Sequence, residues 1–188
     1  RQYRERLESY GIQIYRVANH GVHNVPEITL NLPGRDEKIE EFIQFIRNLS
    51  AAGIYYNTYA HMGNGIWSTG HTDGRGGVNA RVLDIKNAEG NWIGEIFTGE
   101  HTHGRAYSED ELWDNYEYMI RKIAPVAENE GVYIGIHPDD PPVYALGGIP
   151  RCIFGQFDGY KRALEIADSP NIGVCLCVGC WLEGGAEG

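Results

Sequence analysis

The stretch Gly131-Val132-Tyr133-Ile134-Gly135-Ile136-His137-Pro138-Asp139-Asp140-Pro141-Pro142 decides how this chain reads. A glycine closes a helical pattern, an apolar run follows, and the run halts at a histidine before breaking into prolines and aspartates. A strand fixes the side chain at its end, and the loop after it makes room for a substrate; parallel α/β enzymes display their chemistry this way. Alternation sets Val132, Ile134 and Ile136 on one face and Tyr133, Gly135 and His137 on the other. The first face suits a covering of helices and the second leads to a site. Val174-Cys175-Leu176-Cys177-Val178-Gly179 repeats the pattern. It predicts a strand over 174–178, with Val174, Leu176 and Val178 outward and Cys175 and Cys177 inward.

The same rhythm extends in both directions. Ile39, Phe42, Ile43, Ile46 and Leu49 at helical spacing predict a helix over 36–52, with Asp36 and Glu37 at its start and Gly53 closing it. A strand over 54–59 follows. Leu112, Tyr116, Met119, Ile120, Ile123 and Val126 predict a second helix over 108–130, opened by a Ser108–Glu111 capping box and kinked at Pro125. A third helix over 157–167 leads through Asp168-Ser169-Pro170 to the last strand. At the start, a helix over 1–10 passes through Gly11 to a strand over 12–17. Helix, turn and apolar strand in repeating order mean parallel strands with crossover helices. About four such units fall short of an eight-stranded barrel, which takes roughly 250 residues. Part of a barrel and an open doubly wound sheet both fit, although no glycine-rich nucleotide fingerprint follows any strand. The whole of 1–188 reads as one domain in which 60–107 breaks the rhythm. That segment predicts an elaborated binding loop or lid, with a small hairpin pairing 81–85 with 92–97.

Composition narrows the partners. With 42% hydrophobic and 22% charged residues, the chain has the make-up of a globular protein with a real core. It has no apolar run long enough for a membrane span and no signal-like start. A net charge of −10 argues against nucleic acid, whose phosphates need an excess of lysine and arginine. Four cysteines, three of them crowded into 175–180, do not form a secreted disulfide framework and point to a reduced, cytoplasmic setting. The chain opens at Arg1 inside a helical pattern and stops at Gly188 soon after a strand, as a fragment would.

His137 is the leading candidate ligand, and the rigid acidic loop after it, Asp139 and Asp140, is suited to orient it or to bind a substrate hydroxyl. Cys177 is ligand-grade by position, although a free cysteine also serves as a small buried hydrophobe, the role assigned to Cys175. Cys175-x-Cys177-x-x-Cys180 lacks the second cysteine pair of a thiolate zinc or cluster site. His101 with His103, and His20 with His23, are further candidate ligands in loop-like sequence. Asn57, near the end of the second strand, is placed to hydrogen-bond a substrate, and Arg75 or Arg105 to meet a carboxylate. No Ser-His-Asp spacing or nucleophile elbow supports nucleophilic hydrolysis.

On these residues the chain resembles the mannonate dehydratase family. The resemblance runs through Asn31-Leu32-Pro33-Gly34-Arg35-Asp36-Glu37, Phe45-Ile46-Arg47-Asn48-Leu49, Ala52-Gly53-Ile54 and Asn115-Tyr116. It continues in Ile136-His137-Pro138-Asp139-Asp140-Pro141-Pro142, Gly148-Ile149-Pro150-Arg151, Asp168-Ser169-Pro170 and Leu176-Cys177-Val178-Gly179, leaving out the insertion. It implies a xylose-isomerase-like (β/α)8 TIM barrel, of which this chain covers about four units. It further implies a cytoplasmic hydro-lyase converting D-mannonate to 2-keto-3-deoxy-D-gluconate in hexuronate catabolism. The resemblance makes His137 and Cys177 ligands to a divalent ion, Mn²⁺ before Fe²⁺ or another, with a further His and an Asp supplied by later strands. Asn57, Asp139, Asp140 and Arg105 are the expected substrate contacts, the acid–base residues remain unassigned, and a homo-oligomer is compatible with this reading. A sugar isomerase or epimerase on the same barrel, or a catalytically silent sugar-binding relative, are the alternatives. Two departures stand out: Thr58-Tyr59-Ala60-His61-Met62 replaces the family's usual Phe-Met-Pro stretch where a substrate pocket is expected, and position 180 is Cys where Ser or Thr is common.

Overall fold

The computed structural model describes residues 2–142, 145–151 and 153–186. Helices α1 (Gln2–Glu8), α2 (Pro26–Thr29) and α3 (Arg35–Ala51) precede strand β1 (Tyr56–Tyr59). Five short strands follow: β2 (Ile66–Ser68), β3 (Gly70–Asp73), β4 (Asn79–Val82), β5 (Glu89–Trp92) and β6 (Glu95–Phe97). The chain then runs through α4 (Glu109–Glu130), β7 (Tyr133–Ile136), α5 (Phe157–Ala167), β8 (Ile172–Val174) and α6 (Val178–Glu183). No helix among the described residues is long and apolar enough to cross a membrane.

Strands β1, β7 and β8 form a parallel sheet in that order, with Asn57, Ile134 and Ile172 in one row and Tyr59, Ile136 and Val174 in the next. The strand predicted over 12–17 shrinks to one parallel bridge, in which Val17 N–H donates to Tyr56 O and Thr58 N–H donates to Val17 O. Tyr10, Ile12 and Tyr15 before it are exposed, because the backbone reaches the sheet edge only at Val17. The first helix, predicted over 1–10, spans Gln2–Glu8 and buries nothing; Arg1 lies outside the described residues.

One face of the sheet is covered by helices. α3 buries Ile39, Phe42, Ile43, Ile46 and Leu49, the whole predicted stripe. Each such side chain contributes about 1.5–3 kcal/mol by leaving water. α4 starts at the Ser108 capping box: Ser108 Oγ accepts from Glu111 N–H at 3.2 Å, and the Glu111 carboxylate accepts from Ser108 N–H at 2.8 Å. It runs through Pro125 and stops at Gly131, whose φ of 65° suits a residue without a Cβ. Tyr116 and Tyr160 tie the layers together, their hydroxyls donating to the carbonyls of Ala163 and Ile136. The alternation expected for β7 holds: Val132, Ile134 and Ile136 are buried, whereas Tyr133 is exposed on the opposite face.

The last strand is displaced from its prediction over 174–178. It occupies Ile172–Val174, and helix α6 begins at Val178. The reason is the length of its partner: Cys175 N–H still donates to Ile136 O, but past that point β7 has ended and offers no further carbonyl. Val174, Leu176 and Val178, expected to form a covered outer face, are exposed along this edge.

Residues 60–107 fold as two small antiparallel sheets, β2-β5-β6 and β3-β4. The predicted pairing of 81–85 with 92–97 is thereby corrected, since β4 pairs with β3 and β5 with both β2 and β6. The β5–β6 turn is Ile93-Gly94 with φ of 52° and 82°, a left-handed pair occupied by a β-branched residue in place of the usual Asn or Asp. Trp67, Phe97 and Leu146 give the insertion its own core. Gly90 makes that core feasible, because a Cβ there would sit 2.5 Å from the Asn64 carbonyl oxygen and 2.7 Å from the Trp67 indole nitrogen.

Candidate metal centre and its surroundings

All three parallel strands point the same way, so the segments leaving β1, β7 and β8 gather at one end of the sheet. His137 N–H donates to Tyr59 O at 2.7 Å, extending the ladder one residue beyond β7 and aiming the imidazole away from the helix layer. Its Nδ1 lies 2.7 Å from the Pro138 carbonyl oxygen. A carbonyl can only accept, so that contact places the ring proton on Nδ1 and leaves Nε2 as the metal-binding nitrogen. Cys177 is the residue immediately before α6 and Cys180 stands in its first turn, the spacing at which two side chains meet over a helix start. The donor atoms of His137, Cys177 and Cys180 all lie within 4.8 Å of one another. One nitrogen and two sulfurs are a donor set suited to a divalent transition ion.

Around this cluster the open sheet face carries Thr58 and Cys175, with His23 of the turn before α2 beside Thr58. Cys175 is half-buried, with Sγ accepting from Arg16 Nη1 at 3.1 Å and from Thr58 Oγ1 at 3.8 Å, so it is a lining residue in place of the core residue expected. His23 lies 3.4 Å from the Thr58 carbonyl oxygen and stacks on Trp92 of the insertion at 5.3 Å. Burial, only partly offset by that hydrogen bond and reinforced by the charges of His137 and His20, lowers its pKa to about 4, so the ring is neutral near pH 7. Burial, followed by the Asp140 charge, drives the Cys180 thiol well above its ordinary range.

Asp140 continues the site. It pairs with Arg81 of β4 at 2.8 Å, and its carboxylate also lies within 4.8 Å of Cys180 Sγ and a Glu183 oxygen. Trp67, Ser68, Arg81, Asp140 and Glu183 line a cavity of about 310 Å³, at the lower end of the range for small-ligand pockets. The insertion therefore reaches the cluster twice, through Arg81 and through Trp92. Beneath it, the buried Arg151 ties its own segment to two others, donating to the carbonyls of Asp140 and Gly65 and to Asn64 Oδ1, with Met62 Sδ 2.9 Å from Nη1. Burial lowers its pKa to about 10 even with Asp139 beside it, and burial raises Asp139 to about 6 against the pull of Arg151 and the Phe154 backbone.

The structure brings His137 and Cys177 together and separates the expected substrate contacts. Asp140 lines the cavity, whereas Asp139 is buried below it facing Arg151. Asn57 shares its row with Ile134 and Ile172, hence the helix-covered face, and both its amide atoms are buried without a partner. Arg105 is held on the surface by Glu111 at 2.7 Å. His103 stacks on Phe97, and Arg75 sits in the β3–β4 turn. His61, in the segment expected to touch the pocket, is instead in the core against Tyr59, Tyr116 and Phe154. Arg81, Arg151 and Trp92 had drawn no expectation of their own, although the family-like Gly148-Ile149-Pro150-Arg151 stretch marked the position of one of them.

A parallel sheet with helices on one face, and ligand-type side chains at consecutive strand ends, defines a chain of the TIM-barrel class. Solved structures agree. A mannonate dehydratase from Streptococcus suis superposes with a TM-score of 0.77 at 29% identity, covering 96% of this chain and 50% of that one. A xylose isomerase-like TIM barrel protein from Mycobacterium smegmatis, solved with magnesium, matches at 0.54 and 12% identity, over 95% of this chain and 45% of that one, and speaks for the fold alone. The family model for D-mannonate dehydratase (UxuA) matches residues 1–91 and 84–184. The mannonate dehydratase of Streptococcus uberis is 34% identical over 96% of this chain and 56% of its own length. The chain belongs to the mannonate dehydratase family, and it spans about half the length of the curated relatives it matches.

Proposed function

We propose that this chain carries the metal-holding part of a cytoplasmic hydro-lyase that dehydrates D-mannonate to 2-keto-3-deoxy-D-gluconate and water. The observation that carries the reading is the convergence of His137 and Cys177 from the ends of neighbouring parallel strands. Family membership supports the substrate class. In this reading residues 1–188 are one domain contributing about four βα units to a closed barrel, with 60–107 inserted over its mouth.

Elimination of water from a sugar acid requires loss of a weakly acidic proton beside the carboxylate and departure of a hydroxyl. His137 and Cys177 would hold the divalent ion, Mn²⁺ by resemblance to the family. Once bound, such an ion supplies Lewis-acid stabilisation of oxygen-centred charge. Asp140 and Arg81 border the cavity and present an acceptor and a cation to a polyhydroxy acid. Trp92 of the insertion stacks on His23 beside the site. Asp139 acts indirectly, through its buried apposition to Arg151 below the loop.

The test is direct. The complete protein, loaded with Mn²⁺ and given D-mannonate, should release a keto-deoxy acid detectable with thiobarbiturate, and Cys177→Ala should abolish it. A loaded protein that isomerised aldoses and left mannonate untouched would replace this reading with the isomerase one.

A further inference from the structure

We infer that Cys180 is a further protein ligand, so that this chain contributes one histidine and two thiolates to the metal site. The inference rests on the reading of His137 and Cys177 as ligands and goes beyond it. Three observations carry it. The Cys180 donor atom lies within 4.8 Å of both the His137 and the Cys177 donor atoms. The residue is 5% exposed, so its thiol is largely withdrawn from solvent. Its place in the first turn of α6, three residues after Cys177, fixes the two sulfurs over the same helix start.

A competing role for Cys180 lies on its other side, with Asp140 and Glu183. That side is the weaker cation site, since Asp140 is already neutralised by Arg81 at 2.8 Å and Glu183 is exposed. One nitrogen and two thiolates is a known donor set of catalytic zinc. Soft sulfur donors favour Zn²⁺ or Fe²⁺ over Mn²⁺, so the second thiolate moves metal preference away from the ion the resemblance implies. Each coordinating thiol loses its proton on binding, so uptake of the ion releases protons to solvent.

Cobalt titration of the complete protein under a non-thiol reductant tests this, because thiolate-to-Co²⁺ charge transfer absorbs in the near ultraviolet in proportion to the sulfurs bound. Wild type should bind one Co²⁺ with a band that Cys180→Ser reduces to roughly half, with affinity weakened at least about tenfold. Cys175→Ser should leave the band unchanged. A band that needs His137 and Cys177 but ignores Cys180→Ser overturns the third ligand and spares the underlying reading. No Co²⁺ binding, or binding indifferent to His137→Ala and Cys177→Ser, overturns both. Should Cys180→Ser fail to fold, X-ray absorption on Zn²⁺-loaded wild type decides: two sulfurs at about 2.3 Å support the inference and one refutes it.

Discussion

Replacing His61 with phenylalanine should flatten the acid side of the stability curve. The imidazole is 3% exposed, and Tyr116 and Phe154 meet it edge-on at 5.7 and 6.2 Å. The Tyr59 hydroxyl lies 2.5 Å from Nδ1, while Nε2 has no partner. Burial lowers the pKa from 6.5 to about 3. Below about pH 6.5 the unfolded chain therefore binds a proton that the folded chain refuses, and stability falls as pH falls, until the folded pKa is reached. The loss runs at about 1.4 kcal/mol per pH unit, or about 2 kcal/mol between pH 6.5 and 5. Phenylalanine cannot titrate, so this loss disappears in the variant. Near pH 7 the substitution leaves the Tyr59 hydroxyl unpartnered at about 1–3 kcal/mol and removes the orphaned Nε2, two effects of opposite sign. The informative quantity is thus the change between two pH values. Urea denaturation at about pH 7 and pH 5 should show wild type losing about 2 kcal/mol more than His61→Phe. Asp139 and His23 titrate in both proteins and cancel in the comparison. Equal losses would refute the assignment of His61 as a buried neutral imidazole.

Other substitutions separate structural from functional roles. Arg151→Met should destabilise the fold by about 3–5 kcal/mol in the same denaturation assay, because Asp139 then stays buried without a cation and the 62–65 and Asp140 segments lose their common donor. Ser108→Ala removes the α4 cap and should cost about 1 kcal/mol while leaving metal uptake unchanged. Arg105→Ala breaks a solvent-screened pair with Glu111 and a contact over the Tyr107 ring at 3.8 Å, so it should cost far less stability than Arg151→Met. If Arg105 touches substrate as the sequence suggested, the same variant would instead raise KM for mannonate in the complete enzyme.

The helix layer was legible because its information is local. The α3 stripe from Ile39 to Leu49, the Ser108–Glu111 box and the Gly131 stop are each written within a few residues of one another, and each appears as expected. β7 was legible for the same reason, since alternation over Val132–Ile136 needs no knowledge of partners. The insertion was not legible. Its pairing depends on a turn at Ile93-Gly94 without a conventional turn signal and on a contact between Gly90 and Trp67, far apart in sequence. Nor could its reach be read: Arg81 finds Asp140 across 59 positions, and nothing in the local sequence of either residue announces the other.

Asn57 and His137 show why position at a strand end does not by itself define a site residue. Both stand near the C-terminal end of a parallel strand, and both were read as functional for that reason. Parity separates them. His137 is one residue past the buried Ile136 and so faces away from the helices, whereas Asn57 lies in the row of Ile134 and Ile172 and faces into them. Its neighbour Thr58, with Oγ1 3.8 Å from Cys175 Sγ, is the β1 residue that actually faces the site. The alternation was visible in β7 because aliphatic residues mark one face. In Tyr56-Asn57-Thr58-Tyr59 both faces carry polar or aromatic side chains, so the pattern has no contrast and only the ladder reveals its phase. The same reasoning explains Cys177: past the end of the ladder parity no longer applies, and its place beside His137 is set by the turn into α6, which also brings Cys180 there.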